Sequence, residues 1–220
     1  GMNKNMVSLW SGTGSQHAPW EDEGYDIFSC DINPDFEPLV CTDILHLEAQ
    51  TIIDYFQGQE IRWLWASVDC SVFSVAALSQ KNFLKDKNGQ FHPNTYKAKY
   101  MLERLWHTIE LIKELNPKYW IIENPRALMR KMPCMSTFQR HTVTYCQYGN
   151  KNMKPTDLFG VFPELWEPKC CKNGDPCHEA ASRGSNTGTQ ALSKKEAGMI
   201  PYELGKSLLY ADIQMQHIFG

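Results

Sequence analysis

No apolar run in the 220 residues approaches the roughly 20 that a membrane span requires. A basic-then-apolar leader is missing as well, so a cytoplasmic location is expected, with no membrane partner. Gly1 precedes Met2, and the natural start is expected at Met2. Internal repeats are absent. The eight cysteines, without a leader and in a chain of this length, read as thiols or metal ligands rather than a disulfide framework. Zinc sites usually show a C-x₂₋₄-C pair on each side. Cys170, Cys171, Cys177 and His178 do not, so no metal site is assigned. Charge of one sign is also scarce, with a formal net charge of −3.

That small net charge hides an asymmetry. Residues 126–172 hold eight Lys/Arg against three acids, while the remainder holds 14 basic and 22 acidic residues. A basic segment in an acidic chain points to one face that meets a polyanion. With 42% hydrophobic and 21% charged residues, the composition is that of one globular domain with a sizeable core.

The stretch Trp63-Leu64-Trp65-Ala66-Ser67-Val68-Asp69-Cys70-Ser71-Val72-Phe73-Ser74 organises the rest. An apolar run reads as a buried strand and ends in a polar turn at Cys70. Such a cysteine is either one more small apolar residue or a nucleophile held at the carboxyl edge of a parallel sheet.

Met6 to Trp10 is a first short strand, followed by Ser11-Gly12-Thr13-Gly14-Ser15. Glycines there let a backbone approach a ligand closely. Tyr25 to Cys30 is a second strand ending at Asp31, an acid placed to accept from ribose hydroxyls. Leu39-Val40-Cys41 is a third, with Asp43 just beyond it as an acceptor for an adenine amino group. Two acids after successive strands, behind a glycine turn, describe a nucleoside pocket.

Residues 44–60 read as an amphipathic helix and residues 80–94 as a surface loop. Residues 95–115 form the clearest helix, with Met101, Leu105, Ile109, Ile112 and Leu115 at helical spacing and Asn116-Pro117 as a stop. Lys118 to Ile122 is a strand ending at Glu123-Asn124-Pro125. Thr142 to Tyr148 alternates like a strand, Leu158 to Phe162 is a last strand, and a helix begins near Ile200. Strands alternating with helices predict an α/β fold with a mainly parallel, doubly wound sheet.

The order of these motifs resembles the short, phage-type DNA cytosine-5 methyltransferases. Ser11-Gly12-Thr13-Gly14 is similar to the family's F-x-G-x-G loop, with Trp10 in the place of Phe. Asp69-Cys70-Ser71-Val72-Phe73-Ser74 resembles its P-C-x-x-F-S loop, and Glu123-Asn124-Pro125 its E-N-V. Gln147 and Lys151 stand where Q-x-R-x-R is expected. The segment around Lys154-Pro155-Thr156-Asp157 resembles phage members. So do Asp175-Pro176-Cys177-His178, Arg183-Gly184-Ser185 and Thr187-Gly188-Thr189-Gln190.

The resemblance implies a Rossmann-like, S-adenosylmethionine-dependent methyltransferase fold with a short irregular C-terminal extension. Residues 2–166 would form the catalytic domain. Residues 167–220 would form a reduced target-recognition segment and a helix packing back. It implies transfer of a methyl group to carbon 5 of cytosine in double-stranded DNA, on a base flipped out of the stack. Cys70 would be the nucleophile at carbon 6. Glu123 would hold N3 and the exocyclic amine, with a carboxyl pKa raised by burial. Lys151, with Lys154, would contact phosphate or position the base. S-adenosylmethionine would lie along Trp10, Ser11, Gly12, Gly14, Asp31, Asp43 and Asp69, with its methyl group facing the base.

Three departures bear on this. Asp69 replaces the family's proline and is expected to make the Cys70 thiolate scarcer. Ser8 stands where many members carry an acid. The region after Gly160 is short. Two other functions remain in view: a catalytically silent relative that binds S-adenosylmethionine or DNA, and an RNA cytosine-5 methyltransferase.

Overall fold

The computed structural model describes residues 3–179 and 198–220. The motifs Arg183-Gly184-Ser185 and Thr187 to Gln190 lie outside the described residues. Nine strands are described. They are β1 (Asn5–Leu9), β2 (Asp26–Asp31), β3 (Val40–Cys41), β4 (Trp63–Ser67), β5 (Phe83–Lys85), β6 (Phe91–Pro93), β7 (Tyr119–Pro125), β8 (Arg140–Thr144) and β9 (Pro155–Val161). The helices are α1 (Ala18–Asp22), α2 (Ala49–Tyr55), α3 (Tyr96–Leu115) and α4 (Tyr202–Phe219).

Seven strands form one sheet in the order β3-β2-β1-β4-β7-β9-β8, and β5 and β6 make a separate hairpin. The pairings from β3 through β7 are parallel, and β9 runs antiparallel to both its neighbours. The strand nature of β1 and β4 follows from burial on both faces, the condition under which a parallel strand is apolar without alternation. Trp63 and Trp65 point to one side with Met6, Tyr119 and Ile121, where they meet Trp20 of α1 and Leu204 and Leu208 of α4. Leu64 and Ala66 point to the other with Val7, Leu9 and Phe28, where they meet Ile52 of α2 and Leu105 and Ile109 of α3. Helices therefore cover both faces, as the doubly wound reading expects.

Helix α3 starts at Thr95, whose side chain accepts from the Ala98 amide, and ends at Asn116 in the left-handed region. Helix α4 is tied down by Asp212. This fully buried carboxylate takes two hydrogen bonds from Arg62, at 2.8 and 2.6 Å, and one from the Trp63 indole at 3.1 Å. Gly205 lets α4 approach α1, because a Cβ there would lie 2.9 Å from Pro19.

Three local expectations change. The helix expected over 44–60 is a short 3₁₀ turn, Ile44–His46, and then α2. Asp43 closes that turn by accepting from the Leu45 amide, and Leu47 follows in extended geometry, buried in the core. The loop expected over 80–94 contains the β5–β6 hairpin. Asp86 accepts from the amides of Asn88 and Gln90, and Gly89 supplies the positive φ. The strand expected over 142–148 stops at Thr144. Tyr145–Tyr148 curls into a 3₁₀ turn closed by Gly149 at φ 93°.

Candidate active site

The carboxyl ends of β1, β2, β3, β4 and β7 open on one edge of the sheet. In open α/β sheets this is where ligands bind. Two neighbouring stations stand along it.

The first follows β1. Trp10 adopts φ 54° and Gly12 φ 51°, so the chain turns sharply out of the strand. A tryptophan with positive φ is strained by about 1–3 kcal/mol, a cost concentrated at functional sites. Its indole donates to Thr108 of α3 at 3.1 Å, which holds the turn. Asp31 fixes the turn from the end of β2. It accepts from the Gly12 amide at 2.8 Å and the Asn33 amide at 2.9 Å. Trp10, Cys30, Asp31, Ile32, Thr42, Asp43, Ile44 and Arg104 line a cleft here.

Ser11 and Gly14 shape the glycine turn through a 2.9 Å bond from the Gly14 amide to the Ser11 carbonyl, and Ser11 is itself buried. Asp43 is already engaged. It pairs with Arg104 of α3 and accepts from the Leu45 amide. Arg104 also lies 3.5 Å over the Tyr100 ring. Ser8 lies beneath the turn, fully buried, bonded to His17 Nδ1 at 2.7 Å and to Gln16 Nε2 at 2.8 Å. It is a scaffold residue beneath the cleft.

The second station joins β4 and β7. Their register pairs Ser67 with Glu123, so the turn carrying Cys70 starts beside the carboxylate. Asn124 Nδ2 donates to the Val68 carbonyl at 2.7 Å and ties that turn to β7. The amides of Phe73 and Ser74 both donate to the Cys70 carbonyl, at 3.0 and 2.9 Å. Asp69 is exposed and accepts from the Ser71 amide at 2.7 Å. The Cys70 thiol is pushed up first by burial, then by Asp69 and Glu123, while Lys154 opposes the rise. Asp69 thus acts on the thiol in the direction its charge predicts.

Glu123 is 5% exposed. Burial raises its carboxyl pKa, against the opposing effects of Lys154 and of hydrogen bonds from Ser67 and Tyr145. Tyr145 Oη donates to Glu123 Oε1 at 3.2 Å.

The two lysines part company. Lys151 is exposed. Lys154 is buried, adopts φ 38°, and its ammonium lies 5.2 Å over the Tyr145 ring, within electrostatic reach of Glu123 and Cys70. The cation beside the Cys70–Glu123 pair is therefore Lys154. The cause is the turn after Thr144, which loops Lys151 outward before β9 returns. Of the basic segment, Arg130 is also spent internally, in a two-pronged pair with buried Asp157. Arg126, Lys131, Arg140, Lys151, Lys169 and Lys172 remain exposed.

Sequence reading missed Arg104, which sits in a helix recognised only by its apolar stripe. It also missed the roles of Asn124 and Tyr145. Asn124 was visible in the E-N-P word, but Tyr145 gave no signal beyond strand alternation.

No family model matches the sequence, and no curated protein matches it. Solved structures do. The chain is similar to a prophage-encoded E. coli protein assigned as a DNA modification methyltransferase. That match has 18% identity and a TM-score of 0.51, over 76% of this chain and 51% of that one. It is similar to the S. pombe Dnmt2 methyltransferase, with 14% identity and a TM-score of 0.50 over 83% of this chain and 58% of that one. It is also similar to the Entamoeba histolytica methyltransferase EhMeth, with 12% identity and a TM-score of 0.50 over 78% and 58%. The chain thus spans between half and three-fifths of the length of these structures. The fold is the Rossmann-like fold of S-adenosylmethionine-dependent methyltransferases. Among the described residues, no helix is long and apolar enough to cross a membrane.

Proposed function

We propose that this protein transfers a methyl group from S-adenosylmethionine to carbon 5 of cytosine in DNA, through a covalent bond between Cys70 and the base. One observation carries the reading. A buried carboxyl group with a raised pKa, Glu123, stands at the strand end next to the Cys70 turn, within electrostatic reach of the thiol.

The residues of the first station fit the cofactor. A Cβ at Gly12 would meet nothing within 4 Å, so open space borders the turn. Asp31 stands at the end of β2 with lone pairs beyond its two amide bonds, suited to ribose hydroxyls. Ile32 and Ile44 offer apolar cover for an adenine ring, and Asp43 an acceptor for its amino group. When bound there, S-adenosylmethionine supplies an electrophilic methyl group.

Carbon 5 of cytosine is a weak nucleophile. Addition of the Cys70 thiolate to carbon 6, with a proton or hydrogen bond from Glu123 at N3, converts the ring to an enamine reactive at carbon 5. After methyl transfer, which leaves S-adenosylhomocysteine, the carbon 5 proton passes to water, Glu123 takes back the N3 proton, and expulsion of the Cys70 thiolate restores the aromatic ring. Lys154 holds the charge of Glu123 and of the thiolate in balance. The exposed cations of residues 126–172 suit a phosphate backbone, and the base leaves the stack at a cost of a few kcal/mol.

The test is a covalent trap. The protein is mixed with S-adenosylmethionine and duplex DNA carrying 5-fluorocytosine, where fluorine blocks the final proton loss. A denaturant-resistant complex that disappears in Cys70→Ala is the expected result. S-adenosylmethionine binding without a trapped complex on DNA, but with one on RNA, would transfer the reading to an RNA substrate. Binding with no complex on either would leave a silent relative.

A further inference from the structure

Beside that edge, past the carboxyl end of β8, the fold gathers four more groups with metal-ligand chemistry. Cys146 lies in the turn after β8. Cys171, Cys177 and His178 lie in the segment after β9. Their ligand atoms all fall within 4.8 Å of one another. Cys146 Sγ is 2.9 Å from Cys171 Sγ and 3.3 Å from Cys177 Sγ. His178 Nδ1 is 3.6 Å from Cys171 Sγ and 3.4 Å from Cys177 Sγ.

This is the arrangement of four donors around one centre. A tetrahedral zinc ion, with Zn–S of about 2.3 Å and Zn–N of about 2.0–2.1 Å, sets its donors roughly 3.5–3.8 Å apart. The two S···N distances to His178, 3.6 and 3.4 Å, match that figure, and the two S···S distances from Cys146 are shorter than it, as for thiols with no ion between them. A disulfide would use two of the thiols and leave the third thiol and the imidazole without a purpose.

The surroundings are built for the same end. The Cys171 amide donates to Thr144 Oγ1 at 2.9 Å. The Glu179 amide donates to the Lys151 carbonyl at 2.7 Å. Between these anchors a turn at Lys172–Asp175, with Gly174 at φ 90°, reverses the chain so that Cys177 and His178 come back to Cys171. Gln147 Nε2 donates to Cys177 Sγ at 3.3 Å, the type of outer-sphere N–H···S contact that steadies a bound thiolate.

We propose that Cys146, Cys171, Cys177 and His178 form a closed Cys₃His structural zinc site. Three soft thiolates and one imidazole select zinc over hard cations, and four protein ligands leave no open position for chemistry. On binding, the three thiols release their protons. The ion clamps residues 170–179 onto the loop 145–154, whose far end is Lys154. Sequence spacing predicts no metal site, with Cys170 as the fourth candidate. The structure replaces it with Cys146, contributed from 25 residues upstream of Cys171. Cys170 is exposed and points its thiol at the Cys171 carbonyl.

The site stands independently of methyl transfer, and so does its test. The full chain is purified under reducing conditions without chelator, and its metal is measured by plasma mass spectrometry. About one zinc per chain is expected, lost in Cys146→Ser and Cys177→Ser and retained in Cys170→Ser and Cys134→Ser. Because loss of a ligand can unfold the segment, the wild-type apoprotein is also titrated with cobalt(II). Tetrahedral d–d bands and thiolate-to-cobalt charge transfer, displaced by zinc, are expected. A zinc-free wild-type protein with no such cobalt spectrum would overturn the proposal. So would equal zinc loss in Cys170→Ser and Cys146→Ser, or a Cys146–Cys171 disulfide in the reduced preparation.

Discussion

Tyr145 donates its hydroxyl hydrogen to Glu123 at 3.2 Å, joining the turn after β8 to the end of β7. This bond favours the ionised carboxylate, whereas burial favours the protonated acid and dominates. Removing it in Tyr145→Phe raises the Glu123 pKa further. The alkaline limb of the single-turnover methyl-transfer rate is expected to move to higher pH. Glu123→Gln should lose that limb and fall about 10²–10⁴-fold in rate. An alkaline limb unmoved by Tyr145→Phe would detach Glu123 ionisation from the reaction.

The same carboxyl group links stability to pH. Its folded pKa lies above the ordinary carboxylate value. Its stabilising contribution is complete below the unfolded pKa and is lost as pH rises through the folded one. Glu123→Gln escapes this loss. Urea midpoints of wild type and variant, compared at about pH 5 and about pH 8, should diverge in favour of the variant at the higher pH. A constant difference would mean that Glu123 is not desolvated in solution.

Asp69 raises the Cys70 pKa. Asp69→Asn is therefore expected to lower it, shifting the pH profile of Cys70 alkylation by iodoacetamide toward lower pH. Peptide-level mass spectrometry reads this site alone. Burial pushes Cys30 up to about 12 and Cys134 to about 11, so both should remain slow and serve as internal references. A Cys70 profile unchanged in Asp69→Asn would show the carboxylate screened by water.

Asp31 and Asp43 line the cleft beside the glycine turn, the proposed S-adenosylmethionine site. Asp31→Ala removes the acceptor that holds the Gly12 amide, and Asp43→Ala leaves Arg104 without its partner. Calorimetric titration with S-adenosylmethionine should show each variant weakened by about tenfold or more, equivalent to ~1.4 kcal/mol. Unchanged binding in Asp43→Ala would reduce Asp43 to a structural partner of Arg104.

Asp212 is buried against Arg62 and Trp63. Asp212→Ala strands the guanidinium of Arg62, whose side chain is only 12% exposed. The expected cost is about 3–5 kcal/mol, read as a drop in the chemical-denaturation midpoint. The double replacement Arg62→Met with Asp212→Leu should recover much of it, because no charge is then left unpaired. Failure of the double variant to exceed Asp212→Ala in stability would place the cost in packing alone.

The ends of β4 and β7 were legible in the chain because each is an apolar run stopped by a polar group. Cys70 and Glu123 follow from where those runs stop. Asp31 was legible in the same way. Helix α3 showed in the spacing of Met101, Leu105, Ile109 and Ile112, and its end in Asn116-Pro117. Boundaries near 44–48 and 145–148 were not legible, since they depend on Asp43 capping a short turn and on Tyr145 being drawn toward a carboxylate on another strand.

By itself, the sequence determined the layered α/β arrangement and the residues offered at the edge of the sheet. Both follow from local hydrophobic periodicity, which one segment carries alone. Only the tertiary structure decided that Lys154 rather than Lys151 faces Glu123, that Arg104 closes on Asp43, and that Cys146 rather than Cys170 joins the thiol cluster. The first and last of these choices depend on the antiparallel return of β9 and the reversal at Gly174, and the second on α3 packing over the turn after β3. Those two turns set distances between residues far apart in the chain, and such distances have no periodic signature.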